Sequence, residues 1–381
     1  MQRKIAIALP CLGDEERQEL DGPLSSGWLT QGPKVAAFEE AFAQRHQIPH
    51  AIAASSCTTA LHLILAAMGI GPGDEVMVPA FTWVATANVV LYCGATPVLA
   101  DIDPLTFNLD PAEVRRRLTP RTKAIIVVHL FGHCADMAGI AAAAPGIPLI
   151  EDAACAVGAA LNGVPAGGLG LAAAFSFHPR KTITTGEGGM VTTKDSVLAE
   201  KIKCLRNHGA SLSEEERHNG SRPYLLPEFD LLGYNYRMTD LQGAVGLAQL
   251  AKLDRFIAER RQGASLYAEL LNDLDWLSLP EPVEGHGWQA YVARLDPARA
   301  PCPRNQLMER LQALGVATRP GTHAVHMLGL YRQRFGFSPD DFPAARDADA
   351  YSIALPLHNK MTEDDYRYVA MALHEATLCA G

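Results

Sequence analysis

The sequence predicts an α/β fold: a large domain over residues 1–250, with a mainly parallel mixed sheet flanked by helices, and a smaller α+β domain over residues 251–381. Three observations carry this expectation. From about residue 50, short apolar or β-branched runs alternate with helical patterns, as in a sheet whose strands are joined by covering helices. At 381 residues the chain is long for a single core. Past about residue 250 the regular alternation gives way to scattered strand-like and helical stretches.

Taken in order, the run Ile5–Pro10 is too short for a membrane span or a secretion signal, and the acidic stretch Asp14-Glu15-Glu16 follows it. Strands are expected at Glu75–Pro79, Thr96–Ile102, Ala124–His129, Ile147–Glu151, Ala172–Phe177 and Gly189–Thr193. Gly71-Pro72-Gly73, Gly94-Ala95 and Pro145-Gly146 punctuate them as turns. Leu212–Pro227 is polar and reads as a mobile loop. A long helix is expected from Asp240, with Thr239 as its N-cap, running toward Leu266 and Leu270. In the smaller domain, Gln289–Leu295 and Val316–Thr318 read as strands, Asn305–Leu314 and Glu363–Ala376 as helices.

A formal net charge of −9 argues against a surface built for nucleic acid or anionic membrane. The eight cysteines are scattered without the close pairs of zinc sites, so reduced thiols in a cytoplasmic protein are expected. Neither a Gly-x-x-x-x-Gly-Lys loop nor a Gly-x-Gly-x-x-Gly turn after a strand is present, which leaves nucleotide hydrolysis and nicotinamide chemistry without a motif.

The chemistry concentrates between Glu151 and Met190. Asp152 falls at the end of one expected strand and Ser176 at the end of another, where α/β sheets gather ligands. Lys181, in His178-Pro179-Arg180-Lys181-Thr182, precedes the turn Thr185-Gly186-Glu187-Gly188-Gly189. Pyridoxal 5′-phosphate (PLP) needs an amine to bond its aldehyde, a carboxylate to keep its ring nitrogen protonated, and donors for its phosphate. Lys181, Asp152 and Ser176 supply all three, although any one alone reads equally as a surface lysine, a turn aspartate or a strand-end serine.

Ser55-Ser56-Cys57-Thr58-Thr59 opens a helical pattern, and amides and hydroxyls at a helix start also suit an anion, while serving equally as ordinary caps. Trp83 follows an expected strand end, where its face can stack on a ring or fill the core. His323 and His326 lack further ligands for a metal and read as pocket or loop histidines. His178 and Thr30 are further candidates for substrate contact.

These residues resemble the DegT/DnrJ family of sugar aminotransferases, within the aspartate aminotransferase-like fold (fold type I). The resemblance runs from Gly27-Trp28-Leu29-Thr30-Gln31-Gly32-Pro33 through Gly73-Asp74-Glu75-Val76, Gly94-Ala95-Thr96-Pro97 and the lysine block to Gly233-Tyr234-Asn235-Tyr236-Arg237-Met238 and Arg319-Pro320. It implies that Lys181 bonds PLP, Asp152 pairs with the ring nitrogen, Trp83 stacks on the ring, and Thr58, Thr59 and Ser176 hold the phosphate. It further implies that Asn235 reaches the phosphate of a neighbouring subunit, so that a homodimer shares its sites. One position departs: where the family carries Gln, His or Glu near the cofactor's phenolic oxygen, this chain has Cys155, a weak donor.

The activity the resemblance implies is transfer of an amino group from L-glutamate to a nucleotide-linked keto-deoxysugar, and Phe81–Asn88 resembles members that aminate C4 of 4-keto-6-deoxyhexoses more than those acting at C3. Lys181 has not become histidine, the change that marks the family's dehydratase branch. The alternatives are a free keto sugar or keto cyclitol as acceptor, or a regulatory protein that keeps the fold without turnover; the intact lysine and the absence of a basic DNA-binding element argue against the latter.

Overall fold

The computed structural model describes residues 3–211, 224 and 226–378. Two helices, α1 (Asp14–Ser26) and α2 (Pro33–Arg45), precede a seven-stranded sheet. Its strands are β1 (His50–Ala54), β2 (Glu75–Pro79), β3 (Thr96–Ala100), β4 (Thr122–Val128), β5 (Leu149–Asp152), β6 (Ala172–Ser176) and β7 (Gly189–Thr193), in the spatial order β1-β7-β6-β5-β4-β2-β3. Neighbours from β6 to β3 pair in parallel, and β7 is antiparallel to both β6 and β1, so β7 alone runs backwards. The six expected strands are all present, with β2 and β7 at the expected bounds.

The strands read as nearly unbroken apolar runs because both sheet faces are covered. Ile126 and Val128 of β4 point into a core shared with α3 (Cys57–Ala67), α4 (Ala85–Tyr92) and α7 (Ser196–Arg206). Ile125 and Val127, one residue out of step, join the opposite face with α5 (Pro111–Arg117) and α6 (Met137–Ala143). On that same side α2 and α8 (Asp240–Ala251) pack over Ala173, Phe175 and Met190.

The expected long helix after Thr239 begins there, with a capping box between Thr239 and Gln242. It ends at Lys252, and α9 (Leu253–Leu270) follows at once. Leu250 before the break and Leu253, Phe256 and Ile257 after it all serve the core of the large sheet, whereas Ala264 and Tyr267, further along α9, serve a second core. That second core joins Tyr267 to the three-stranded sheet β8 (Leu277–Ser278), β9 (Tyr291–Leu295) and β10 (Ser352–Leu355), and to α10 (Arg304–Ala313). Two further helices, α11 (Gly329–Phe335) and α12 (Pro343–Tyr351), return to the large core through Tyr331, Ala345 and Ala348, and α13 (Glu363–Leu378) closes the second core with Val369 and Leu373.

Val316–Thr318 does not form a strand; Val316 makes one isolated bridge to Ile5, and neighbouring Arg319 another to Ala354. Most of the expected loop Leu212–Pro227 lies outside the described residues. Among those described, no helix is long and apolar enough to cross a membrane.

Candidate active site

The C-terminal ends of β2 to β6 and the start of β7 meet along one edge of the sheet, and the candidate residues collect there. Strand β5 ends in Glu151 and Asp152, which as consecutive strand residues face opposite sides. Glu151 is fully buried and fully used: its carboxylate accepts from His129 Nε2 at 3.0 Å and from the backbone amides of Gly167, Leu169 and Gly170 at 2.6, 2.8 and 2.7 Å. Burial would push its pKa up, but those donors reverse the effect and hold the carboxyl below its ordinary value. His129 Nδ1 accepts from the Ala135 amide, which places the ring hydrogen on Nε2, aimed at Glu151.

Asp152, also buried, is held differently. Oδ2 accepts from the Thr86 hydroxyl at 2.8 Å and Oδ1 from the Ala154 amide at 3.2 Å. Thr86 is itself steadied by Thr82, 3.0 Å away. Burial dominates and pushes the Asp152 pKa up, against the pull of Thr86, Ala154 and the charge of Lys181.

Lys181 lies on the turn between β6 and β7. Its amide donates to the His178 carbonyl at 2.8 Å, and the turn is closed by Phe177 donating to the Gly188 carbonyl at 2.9 Å. The lysine Nζ reaches Cys155 Sγ at 3.1 Å. Burial alone would lower the pKa of this ammonium; Cys155, Cys57 and Asp152 together outweigh it and raise the pKa. Gln289 fastens the turn from outside, donating to the Arg180 carbonyl at 2.9 Å.

The start of α3 lies against the same edge. Ser56 caps it by accepting from the Thr59 amide at 3.1 Å, and Thr59 Oγ1 returns the contact by accepting from the Ser56 amide. Cys57 Sγ sits 3.5 Å from the Ala174 carbonyl and 3.9 Å from Asp152 Oδ1, so the helix start and the carboxylate are immediate neighbours. Gly189, paired with Ser176 across β6 and β7, leaves the room for this approach: a Cβ there would come within 2.4 Å of the Ser56 backbone. Ser176, Thr58 and the first amides of α3 thus form a cradle of donors with a positive helix end. Thr59 is the least available of the expected phosphate ligands, since its hydroxyl also donates to the Ser56 carbonyl at 2.9 Å.

The remaining expected residues divide. Trp83 is 60% exposed, and its ring lies 5.5 Å from that of His323, which the pairing of Phe81–Thr82 with His323–Ala324 brings alongside. His326 is not part of this group: it is fully buried, donates from Nε2 to the Pro339 carbonyl at 3.2 Å and packs on Phe342, as a core-anchoring histidine does. His178 is half-buried, and its Nδ1 accepts from the Arg180 amide. Thr30 is exposed; its carbonyl accepts from the amide of Asp240, whose carboxylate caps α2 through Lys34 and Val35. Asn235 is exposed beside Asn207.

Sequence reading missed Thr86 and Glu151. Thr86 follows Thr82 by four residues, the spacing that stacks two side chains on a helical turn, and this was its only signal. An amine, a buried carboxylate with no cation in hydrogen-bonding contact, and an anion cradle along one sheet edge fit PLP in every part.

Comparison with known proteins agrees. Residues 10–374 match the model of the DegT/DnrJ/EryC1/StrS aminotransferase family. The chain belongs to that family. This aminotransferase is 42% identical to GDP-perosamine synthase of Caulobacter vibrioides over 98% of each chain. Its structure resembles that of Helicobacter pylori PseC, an aminotransferase of pseudoaminic acid biosynthesis, with a TM-score of 0.91, 28% identity and coverage of 99% of this chain and 100% of that one. It also resembles DesI, solved with its TDP-sugar product, with a TM-score of 0.88, 33% identity and coverage of 100% and 94%. The protein is a PLP-dependent sugar aminotransferase.

Proposed function

We propose that this aminotransferase moves the amino group of L-glutamate to C4 of a nucleotide-linked 4-keto-6-deoxyhexose, in the cytoplasm, as a homodimer with shared sites. The observation that carries the reading is the convergence of Lys181, Asp152 and the α3 cradle on one sheet edge, open on the side where Trp83 and His323 stand. The GDP and TDP-sugar in the names of two similar proteins favour a nucleotide-linked acceptor, and Phe81–Asn88 favours C4. Seven described cysteines are free thiols, in keeping with a reducing compartment.

When bound, PLP supplies the electron sink for the carbanion at the amino acid's α-carbon. The chain's own residues do the rest. Asp152 is fixed by Thr86 and Ala154, and its carboxylate would hold the proton on the ring nitrogen of the cofactor. Lys181 is the amine that would bond the cofactor; as a neutral amine it would take the α-proton of the amino acid and return a proton to the sugar carbon. Ser176, Thr58 and the α3 amides would hold the phosphate.

The shared-site dimer rests on Asn235, exposed in a segment that also exposes Phe229 and Leu232. Removing the side chain in Asn235→Ala should speed loss of PLP while leaving the unfolding midpoint in place; unchanged retention would contradict sharing. The acceptor is tested by assaying nucleotide-linked keto sugars and free ketones with glutamate for release of 2-oxoglutarate. A nucleotide-linked 4-keto-6-deoxyhexose should give the highest kcat/KM. A free cyclitol or a 3-keto sugar in that place would overturn the assignment, and Lys181→Ala should lose both turnover and the visible absorbance of the lysine-bound cofactor.

A further inference from the structure

A second cavity, of about 240 Å³, lies where the large sheet meets the three-stranded one, and its wall includes neither Lys181, Asp152, Trp83 nor His323. It is lined by Phe107 and Phe131 from the large-domain loops and by His133, Glu281, His286 and Arg294 among its polar residues. Three features set it apart from an ordinary packing gap.

The first is an uncompensated donor set. Among the described residues the Arg294 guanidinium has no carboxylate, carbonyl or ring partner, although it is half-buried on β9. His286 is 5% exposed; its Nδ1 accepts from the Trp288 amide at 2.9 Å, so its hydrogen sits on Nε2, the nitrogen left for the cavity. Burial and the neighbouring His133 push the His286 pKa down to about 3, which keeps the ring a neutral donor.

The second is stored backbone strain. Phe107, Phe131 and Trp288 all have positive φ, at 62°, 60° and 47°, and they are the aromatic members of the non-glycine residues in that region of backbone space. Two of the three line this one cavity, and Trp288 stacks on its wall residue His286 at 3.9 Å. Strain of this kind gathers at ligand clamps.

The third is a flat-ring wall. His133 stacks on His286 at 5.6 Å, and Phe107 meets Phe131 edge-on at 5.8 Å, so the polar groups are set among aromatic surfaces.

We propose that this cavity is a second binding site, for a small ring-bearing organic anion whose carboxylate or phosphate is taken by Arg294 and His286 Nε2–H. Arginine suits such a group because its fork of donors matches two oxygens at once. The volume is below the range of drug-sized pockets, which limits the ligand to a small metabolite. Glu281, exposed at the rim, acts electrostatically on His133 and disfavours a second negative charge near it.

The test is a calorimetric titration of the PLP-loaded protein with benzoate and with phenyl phosphate, using benzamide as the neutral control. One of the two anions should bind saturably, one per chain, and benzamide should not. Arg294→Gln should weaken binding at least tenfold, and Arg294→Lys should retain part of it, with the visible cofactor spectrum unchanged in both variants. Absence of saturable binding by either anion, or equal affinity in wild type and Arg294→Gln, would overturn the proposal. Neither outcome bears on the aminotransferase site, which the spectrum reports separately.

Discussion

Glu151 and Asp152 are neighbours in sequence and in burial, yet the two faces of β5 treat them in opposite ways. The Glu151 face is closed: His129 and three amides of the Gly167–Gly170 turn use the whole carboxylate, and its pKa falls. The Asp152 face is less fully satisfied: Thr86 and Ala154 orient the group, no cation among the described residues hydrogen-bonds it although the charge of Lys181 pulls on it, and its pKa rises. A buried charge satisfied by protein is architecture, while one left short by its own fold is waiting for a ligand.

Substitution breaks the comparison most sharply at Asp152. Asp152→Asn should lower kcat by 10³-fold or more, a loss of about 4 kcal/mol of transition-state stabilisation. It should leave the apo-protein as stable as wild type or more so, since it removes a desolvated charge. Steady-state kinetics beside a thermal melt checks both; substantial residual turnover would refute the role given to this carboxylate.

At Glu151 the pattern should invert. Glu151→Gln strands backbone amides that need an acceptor and should cost about 3 kcal/mol in denaturant unfolding, while molecules that remain folded keep the cofactor's visible spectrum. The pH dependence follows from the same carboxyl. Because its folded-state pKa is depressed, its contribution is complete above the ordinary carboxylate value and is lost as pH falls through the lowered one. Unfolding free energy measured from pH 6 downward should therefore decline more steeply in wild type than in Glu151→Gln.

Thr86→Val is the mildest change. It deletes one hydrogen bond to a charged oxygen, worth about 1.5 kcal/mol, and should lower kcat about tenfold. Thr86→Ser should restore most of the rate, whereas a purely structural threonine would not distinguish serine from valine in kcat.

How far the sequence foretold this depends on how local each feature is. Strands β2 and β7 stand at their expected bounds because turns fence them on both sides. That Asp152, Lys181 and Ser176 lie along one sheet edge was legible because the chemistry of one cofactor would ask for all three. Glu151 was not, since its partners His129 and Gly167 come from separate loops and no local pattern ties them to it. The break at Lys252 was equally hidden, because the apolar pattern runs straight through it: Leu250 and Leu253 enter the same core. Cys155, unexplained as a departure from the family pattern, proves to be the side chain that holds Lys181 Nζ.

The reversed direction of β7 has a consequence for how this site tolerates change. Neighbouring parallel strands need a long crossover, but β6 and β7 are antiparallel and joined by a hairpin, with Phe177 and Gly188 locked at its neck. The reactive amine is therefore delivered by one of the most local pairings in the sheet, whose closure costs little chain entropy. Between the two paired strands the chain is irregular, and the contacts that aim Lys181 there are backbone ones, its amide on the His178 carbonyl and Phe177 on the Gly188 carbonyl, so the lettering of the exposed Glu187 side chain matters less than the course of the backbone.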